Sequence, residues 1–369
     1  MSDHDVAIVG GGAVGLHLAC LLAQRGVDVV VLERRTDPSA ASRAIGIHPP
    51  GLAALDAAGV GGAVRAEATE IRSGVALSRG RLLARVRFGG QPILALPQHR
   101  TEALLRERLD ALAPGALRTG IELAGLDDDG ERVALATHGD GAVRARWAVG
   151  ADGIRSTTRQ LLGIRMLPRR GVGGYAMADA PDTTRAGATA MLHLEPGGIV
   201  ESFPMPGGQR RWVARLAAPE PGMTTAQLQR ILDQRVPEPP LLPADATTSA
   251  FLARQRLAER FVRGRVVLVG DAAHEVSPIG GQGMSLGWLD GLALDRALAR
   301  GTAPADELAA YERGRRRAAE RAMRRAAWNM AMGAPAGRAE LEARLALVRA
   351  LAVPPGSAAV RAAFTMRGL

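Results

Sequence analysis

No lysine occurs in this chain: all 47 basic side chains are arginine, against 37 acidic ones, for a net charge of +10. Aromatic residues make up only 3% of the chain, and there is one cysteine, Cys20. Each scarcity excludes something. A single cysteine allows no intrachain disulfide and no cysteine-rich metal site, and within a run of alanines and leucines it reads as a buried structural thiol. So few aromatics give no base-stacking platform. The positive charge by itself would suggest nucleic acid. However, arginine in place of lysine, with heavy use of alanine and glycine, reads as a compositional bias of the source genome. The densest basic run, Arg313–Arg325, is interspersed with alanine on one predicted helix and reads as a solvated face. No nucleic-acid partner is expected. No apolar run reaches the ~20 residues of a membrane span. No basic segment and apolar region precede the first strand, so no secretory signal is expected and a cytoplasmic location is. The histidines show no metal-ligand spacing, so no metal is expected, and no Gly-x-Ser-x-Gly elbow is present.

What is present is enough for two structural regions: 369 residues, 47% of them hydrophobic. Residues 5–9 (DVAIV) and 27–32 (VDVVVL) read as buried parallel strands, with Ala13–Arg25 as the helix between them and Gly26 ending it. Strand, helix and strand in about thirty residues make one right-handed βαβ unit. Pro50–Ala58 and Thr101–Leu112 read as helices, 71–88 as a hairpin, and 118–124, 131–137 and 142–149 as strands. From Tyr175 to Arg215 the pattern changes to short strands separated by Pro-Gly-Gly turns, which predicts an antiparallel sheet. A helix is expected over 224–235. Parallel-strand character returns at Arg265–Val269, and 284–352 reads as mostly helical. A second region is therefore inserted within the first. The expected boundaries are 1–70, 95–165 and 261–300 for a discontinuous dinucleotide-binding region, 71–94 and 166–260 for the inserted region, and 301–369 for a helical C-terminal region.

Gly10, Gly12 and Gly15 form G-x-G-x-x-G directly between a strand and a helix. The first permits the tight turn, the second lets a pyrophosphate approach the backbone, and the third lets helix and strand pack closely. The helix start at Ala13 and Val14 supplies unpaired N–H groups and the positive end of a dipole. Glu33 ends the next strand, 18 positions after Gly15. A carboxylate there accepts hydrogen bonds from ribose hydroxyls and repels a 2′-phosphate. This motif does not separate NAD from FAD.

Two further segments are VGADGIRSTTRQLLG, with Asp152 and Gly153 after a strand, and VVLVGDAAHEVSPIGGQGMSLGWLDGLALDRAL, with Gly270 and Asp271 after a strand. With the glycine turn, in this order and spacing, the chain resembles the FAD-dependent aromatic hydroxylases, the single-component flavoprotein monooxygenases related to p-hydroxybenzoate hydroxylase. The antiparallel middle matches in placement and not in residues. The resemblance implies an α/β fold: a Rossmann-like, glutathione-reductase-like FAD-binding domain with an inserted antiparallel-sheet substrate domain and a helical C-terminus. It implies tight, non-covalent FAD and NADPH or NADH as a transient electron donor, with no second G-x-G-x-x-G motif for the latter.

The resemblance also implies roles for individual residues. Asp271 would hydrogen-bond the flavin ribityl chain, with Gly270 permitting the approach. Pro278 would lie beside the flavin ring where oxygen reacts, and Gly280 and Gly281 belong to the same loop. Gly283 and Met284 would open a helix whose N–H groups face the flavin's pyrimidine end, where a dipole stabilises negative charge. Ser285 stands where relatives often carry asparagine, with a shorter reach. Asp152 matches an aspartate linked to pyrophosphate positioning and nicotinamide-cofactor use. Arg34 and Arg43, and Gln98 and Arg100 at the start of the Thr101 helix, match side chains near FAD. His274 is a candidate catalytic residue, or a residue that orders the local backbone.

The implied reaction uses O2 through a flavin C4a-hydroperoxide to hydroxylate, or epoxidise, an aromatic or polycyclic small molecule, in secondary metabolism or aromatic catabolism. A closed apolar cavity would protect that species. The substrate wall is expected from the antiparallel region. His193, Glu201, Phe203, Met205, Trp212 and Arg215 are candidates; strand alternation admits only one of each neighbouring pair, and Phe203 and Met205 share parity. So few aromatics predict an aliphatic pocket. The tail from Ala303 onward is expected to supply only helices. The protein is expected as a monomer or homodimer. Two alternatives remain: a reductase or dehydrogenase of the same fold, as for prenyl chains, and a non-catalytic flavin- or prenyl-binding module.

Overall fold

The computed structural model describes residues 2–37, 44–139, 141–218, 222–298 and 304–366. Its organising element is an eight-stranded sheet. Along it lie residues 262–263, 266–268, 142–150, 2–9, 29–33 and 117–119 in that order, with strands 133–137 and 123–128 folded off the edge of 142–150. The inner strands are parallel, with Val6 opposite Val29 on one side and Trp147 on the other. Val6–Ile8 and Val29–Leu32 are almost entirely buried, as strands covered on both faces must be. The Ala13–Gln24 helix is apolar nearly all round because it packs between the sheet and the helices Gln98–Leu112 and Gln282–Leu298. Cys20 is buried there, and burial pushes its thiol up to about 12.

The chain leaves this sheet after Glu33 and again after Gly150. Both excursions contribute to one seven-stranded sheet, ordered 249–253, 173–181, 209–215, 200–205, 189–193, 73–78 and 81–87. The 73–87 hairpin turns at Arg79 and Gly80, both with positive φ. It joins the rest through a parallel pairing of Ser73–Leu77 with Thr189–His193. The sheet is therefore mixed rather than wholly antiparallel. Its outer face is covered by the Thr225–Arg235 helix, with Trp212, Leu228 and Leu232 in one apolar cluster. The helices Ala305–Met332, Arg338–Leu351 and Gly356–Phe364 complete the chain.

Three expectations shift. The helix expected from Thr101 begins at Gln98, immediately after Pro97, whose extended backbone ends the preceding segment. A short helix, Gly61–Glu67, follows the Pro49–Ala57 helix and carries no apolar periodicity strong enough to predict it. The basic run 313–325 is not simply a solvated face. Arg313, Arg317 and Arg324 are exposed. Arg315 turns inward to Asp290, and Arg316 lies 5.5 Å from the Phe261 ring and bonds the Glu259 carbonyl. Helical spacing puts these arginines on different sides of the helix.

Candidate functional site

The first glycine turn is held by close backbone packing. Gly10 has φ +109°, and a Cβ on it would sit 2.5 Å from the Ala151 carbonyl oxygen. A Cβ on Gly15 would come within 2.0 Å of the Gly10 carbonyl oxygen. Gly12 differs: its nearest neighbour on the Cβ side is Glu102 Oε1 at 3.8 Å, so the helix start is open. Gly12 makes no side-chain cap. The N–H donors of the first turn are thus available for a phosphate. One is partly engaged, since Ala13 N donates to Glu102 Oε1 at 3.2 Å. Gln98 Nε2 donates to the same oxygen at 2.8 Å. Glu102 is buried on the Gln98–Leu112 helix and was not legible in the sequence, where it is one acid among several on an amphipathic helix.

Glu33 receives Gly11 N at 2.8 Å and Arg35 N and Nε at 2.9 Å. Burial works to raise its carboxyl, but these donors hold it below the usual range. Arg34 beside it is exposed. Asp152 accepts Thr158 N at 2.9 Å and Thr158 Oγ1 at 3.0 Å through one oxygen; its other oxygen is buried with no partner among the described residues. Arg43 lies outside the described residues. Arg100 is committed to Glu67 through two bonds of 2.9 Å at the surface and does not reach the cavity described below.

The second motif is organised by a residue that sequence reasoning passed over. Asp290, on the Gln282–Leu298 helix, is fully buried and accepts from Gly270 N at 3.0 Å, from Arg315 Nε at 2.6 Å and from His274 Nε2. Burial opposes its charge, but His274 and Arg315 hold its carboxyl below the usual range. Its only sequence signal is an acid on the buried face of a helix in the quoted string. His274 is itself fully buried, tilted against Phe261, and does not border the cavity. Asp271, by contrast, opens onto the cavity. Its side chain is exposed to that cavity, yet the surrounding protein desolvates it; although His274 opposes the effect, Glu275 and Asp290 add to it, pushing its carboxyl up to about 6.

The loop before that helix turns at Gly280 (φ +96°) and Gly281 (φ +67°), with Gly281 N donating to the Pro278 carbonyl at 2.8 Å. Pro278, Gly280, Gly281, Gly283 and Met284 all border the cavity. Ser285 does not. It is buried against the Pro49–Ala57 helix, where its Oγ accepts His48 N at 3.3 Å and would lie 2.4 Å from a Cβ on Gly51. The two ring nitrogens of His48 face the carbonyl oxygens of Gly280, at 3.1 Å, and Phe364, at 2.8 Å. His48 thus ties the loop to the C-terminal helix, a contact with no sequence signal.

One cavity of about 730 Å³ runs from the glycine turns, at Gly12, Ala13, Val14 and Gln98, to the inner face of the seven-stranded sheet. Of the sequence candidates on that sheet, Phe203 and Glu201 border it, and Arg211 and Val213 do so in the neighbouring strand. His193, Met205, Trp212 and Arg215 do not. Trp212 alternates to the outer face and packs under the 225–235 helix. His193 is buried beside the hairpin with neither ring nitrogen bonded to any described residue, and burial pushes it down to about 4. Met205 shares parity with Phe203, but the strand carries it past the cavity to the Pro206–Gly208 turn. Arg215 also has inward parity, yet its guanidinium lies 5.0 Å over the Tyr175 ring and bonds the Gly174 carbonyl. The pocket is not purely aliphatic. Phe88, Phe203, Phe251 and Phe364, four of the five phenylalanines, border it, as does Trp328. Composition counts residues; the fold decides where they meet.

These features define a dinucleotide site joined to an enclosed apolar compartment. Residues 3–326 match the family described as FAD binding domain, and the chain belongs to that family. It is 34% identical over 302 residues to 6-methylpretetramide 4-monooxygenase of Streptomyces rimosus, covering 78% of this chain and 54% of the relative. It is 33% identical to 3-(3-hydroxy-phenyl)propionate/3-hydroxycinnamic acid hydroxylase 2 of Burkholderia vietnamiensis, over 78% of this chain and 55% of that one. The chain thus spans about half the length of these curated relatives. Among solved structures, p-nitrophenol 4-monooxygenase from Pseudomonas putida superposes with a TM-score of 0.88 at 26% identity, covering 100% of both chains. Anhydrotetracycline hydroxylase from Streptomyces rimosus gives 0.80 at 30% identity, over 100% of this chain and 76% of that one.

Proposed function

We propose that this chain is an FAD-dependent monooxygenase that uses NADPH or NADH and O2 to hydroxylate an aromatic or polycyclic small molecule. The observation that carries this is the single cavity joining an open helix N-terminus to a phenylalanine-lined compartment beneath the Pro278–Gly281 loop. The residues fit FAD. The approach to Gly12 is clear, Gly10 and Gly15 admit no Cβ, and Asp152 keeps one buried oxygen unpartnered among the described residues. In this reading Gly10–Gly15 receive the pyrophosphate and Glu33 the adenosine ribose. Asp271 and Gln98 take polar groups nearer the flavin, and Pro278–Met284 border the ring. His274 is a positioning residue, because it acts through Asp290 on the Gly270 turn. The boundaries 1–70, 95–165 and 261–300 for the cofactor region, and 71–94 and 166–260 for the substrate region, are supported by the two sheets. For the C-terminal helical region, 301–369, the helices Ala305–Met332, Arg338–Leu351 and Gly356–Phe364 support the reading.

Bound flavin would supply the redox chemistry, with two electrons from the nicotinamide reducing O2 so that one oxygen atom enters the ring and the other leaves as water. The chain's own part is to orient the ring and keep water out. Phe203, Phe251 and Phe364 line the cavity and would enclose an aromatic ligand, and the Gln282–Leu298 helix, whose Gly283 and Met284 border the cavity, would offer its positive end to the flavin. The test is to load the protein with FAD and follow NADPH and NADH oxidation, peroxide and product with phenols, polycyclic phenols and prenyl lipids. An aromatic that both accelerates oxidation and emerges hydroxylated supports the proposal. Full conversion of O2 to peroxide with every aromatic, or saturation of a prenyl chain, overturns it.

A further inference from the structure

The inner face of the seven-stranded sheet presents two charged side chains to the cavity, and they are not equivalent. Arg211 is neutralised by Asp179, which accepts Nε at 2.7 Å and a terminal nitrogen at 2.8 Å. Glu201, one strand over and opposite Val213, is 8% exposed and forms no hydrogen bond or ion pair with any described residue. A carboxyl withdrawn from water and left without a donor is costly, so buried charges are normally paired. Ile279 of the Pro278–Gly281 loop belongs to one apolar cluster with Met177 and Val213, against which Phe203 packs. Glu201, paired with Val213, therefore borders the same cavity as the loop assigned above to the flavin ring.

We propose that Glu201 selects the substrate: it receives an uncharged hydroxyl or amino group on the aromatic ligand and turns away ligands that carry a carboxylate. This rests on the oxygenase reading only in placing the ligand within this cavity. A neutral donor supplies the missing hydrogen bond, and a charge-assisted bond to a carboxylate is among the stronger ones. A ligand carboxylate would instead place a second negative charge beside an acid that has no cation of its own. Burial pushes Glu201 up to about 7, so near neutral pH it accepts a hydrogen bond and also holds or returns a proton. The other titratable groups on this face are Tyr175, whose ionisation burial pushes further up, Arg215 over the Tyr175 ring, and the Arg211–Asp179 pair. Ile279 and Met330, from the loop and the Ala305–Met332 helix, add no charge.

The experiment is calorimetric binding to the FAD-loaded protein with three ligands of one ring size: 2-naphthol, 2-methoxynaphthalene and 2-naphthoate. The wild type should bind naphthol at least about tenfold more tightly than either other ligand, because a site built around a hydrogen bond rejects an analogue that lacks it. Naphthol binding should strengthen severalfold from pH 6 to pH 8 as Glu201 ionises, while naphthol, like tyrosine at about 10, stays neutral. Glu201→Gln keeps an acceptor oxygen but loses the charge, so it should flatten that pH dependence and admit naphthoate. Glu201→Leu should abolish the preference for naphthol over its methyl ether, with FAD content unchanged. Equal affinity for naphthol and its ether in the wild type, preference for naphthoate, or a naphthol preference that survives in Glu201→Leu overturns the proposal. Binding is read without turnover, so a failure of this selection is distinguishable from a failure of the oxygenase reading.

Discussion

Glu201 is an acid that the fold keeps short of water where a ligand is expected, and this has a measurable cost in the ligand-free protein. The pKa of Glu201 rises from an ordinary 4.5 to about 7 through burial. A raised acid binds its proton more tightly folded than unfolded, so stability falls as pH rises through that window and is unaffected well below it. Glu201→Gln should therefore make the ligand-free protein more stable at pH 8 by about 3 kcal/mol, at 1.36 kcal/mol per pKa unit, and the gain should vanish near pH 4. Urea unfolding at the two pH values checks both the sign and the window. Asp271 faces the cavity beside the Gly270 turn. Asp271→Ala should lower FAD retention on gel filtration, and a variant that stays fully yellow would remove the role assigned to it.

At the scale of elements, the strand–turn–helix unit depends on a backbone approach that admits no side chain at one position and tolerates one at another. Gly15→Ala would force a methyl to within 2.0 Å of the Gly10 carbonyl oxygen, so the helix must move off the strand that it packs against. Loss of FAD and a drop in stability of at least about 2 kcal/mol are expected. Gly62→Ala is the matched control. It lies in the Gly61–Glu67 helix with nothing within 4 Å of a Cβ, and should stabilise by about 0.5–1 kcal/mol. Thermal melts of the two variants check the contrast. The strand–turn–helix unit was fully legible, because buried parallel strands and glycine spacing are local patterns. The 282–298 helix was legible as a helix, but the role of Asp290 was not. Its partners Gly270, His274 and Arg315 come from three separate segments, and nothing local marks a residue that bonds all three.

At the scale of the molecule, the C-terminal helices form part of the cavity wall. Val348, Leu351, Val360 and Phe364 border the cavity, and Leu341 and Leu345 anchor the 338–351 helix on Leu194 and Ile199. Leu345→Asp places an unpaired charge in that anchor and should detach the helix. The expected result is retained FAD, faster proteolysis near residue 337, and more of the consumed O2 appearing as peroxide. Limited proteolysis and a peroxide assay during NADPH oxidation test this. Unchanged peroxide yield would show that the wall is not needed to exclude water.

By itself, the sequence determined the strand–turn–helix unit and the inserted sheet, because glycine spacing, strand alternation and turn chemistry act over a few residues; a role for the Pro278–Gly281 loop was implied only by family resemblance. It placed Phe203 and Glu201 among the pocket candidates but could not separate them from Trp212 or Met205. Parity halves the choice, and only the position of the sheet relative to the cavity settles the rest. Tertiary structure alone gathered four of five phenylalanines around one space, moved Ser285 away from it, and left Glu201 without a partner among the described residues. Those outcomes depend on which distant segments meet, and the free energy of such meetings is not written in any local pattern.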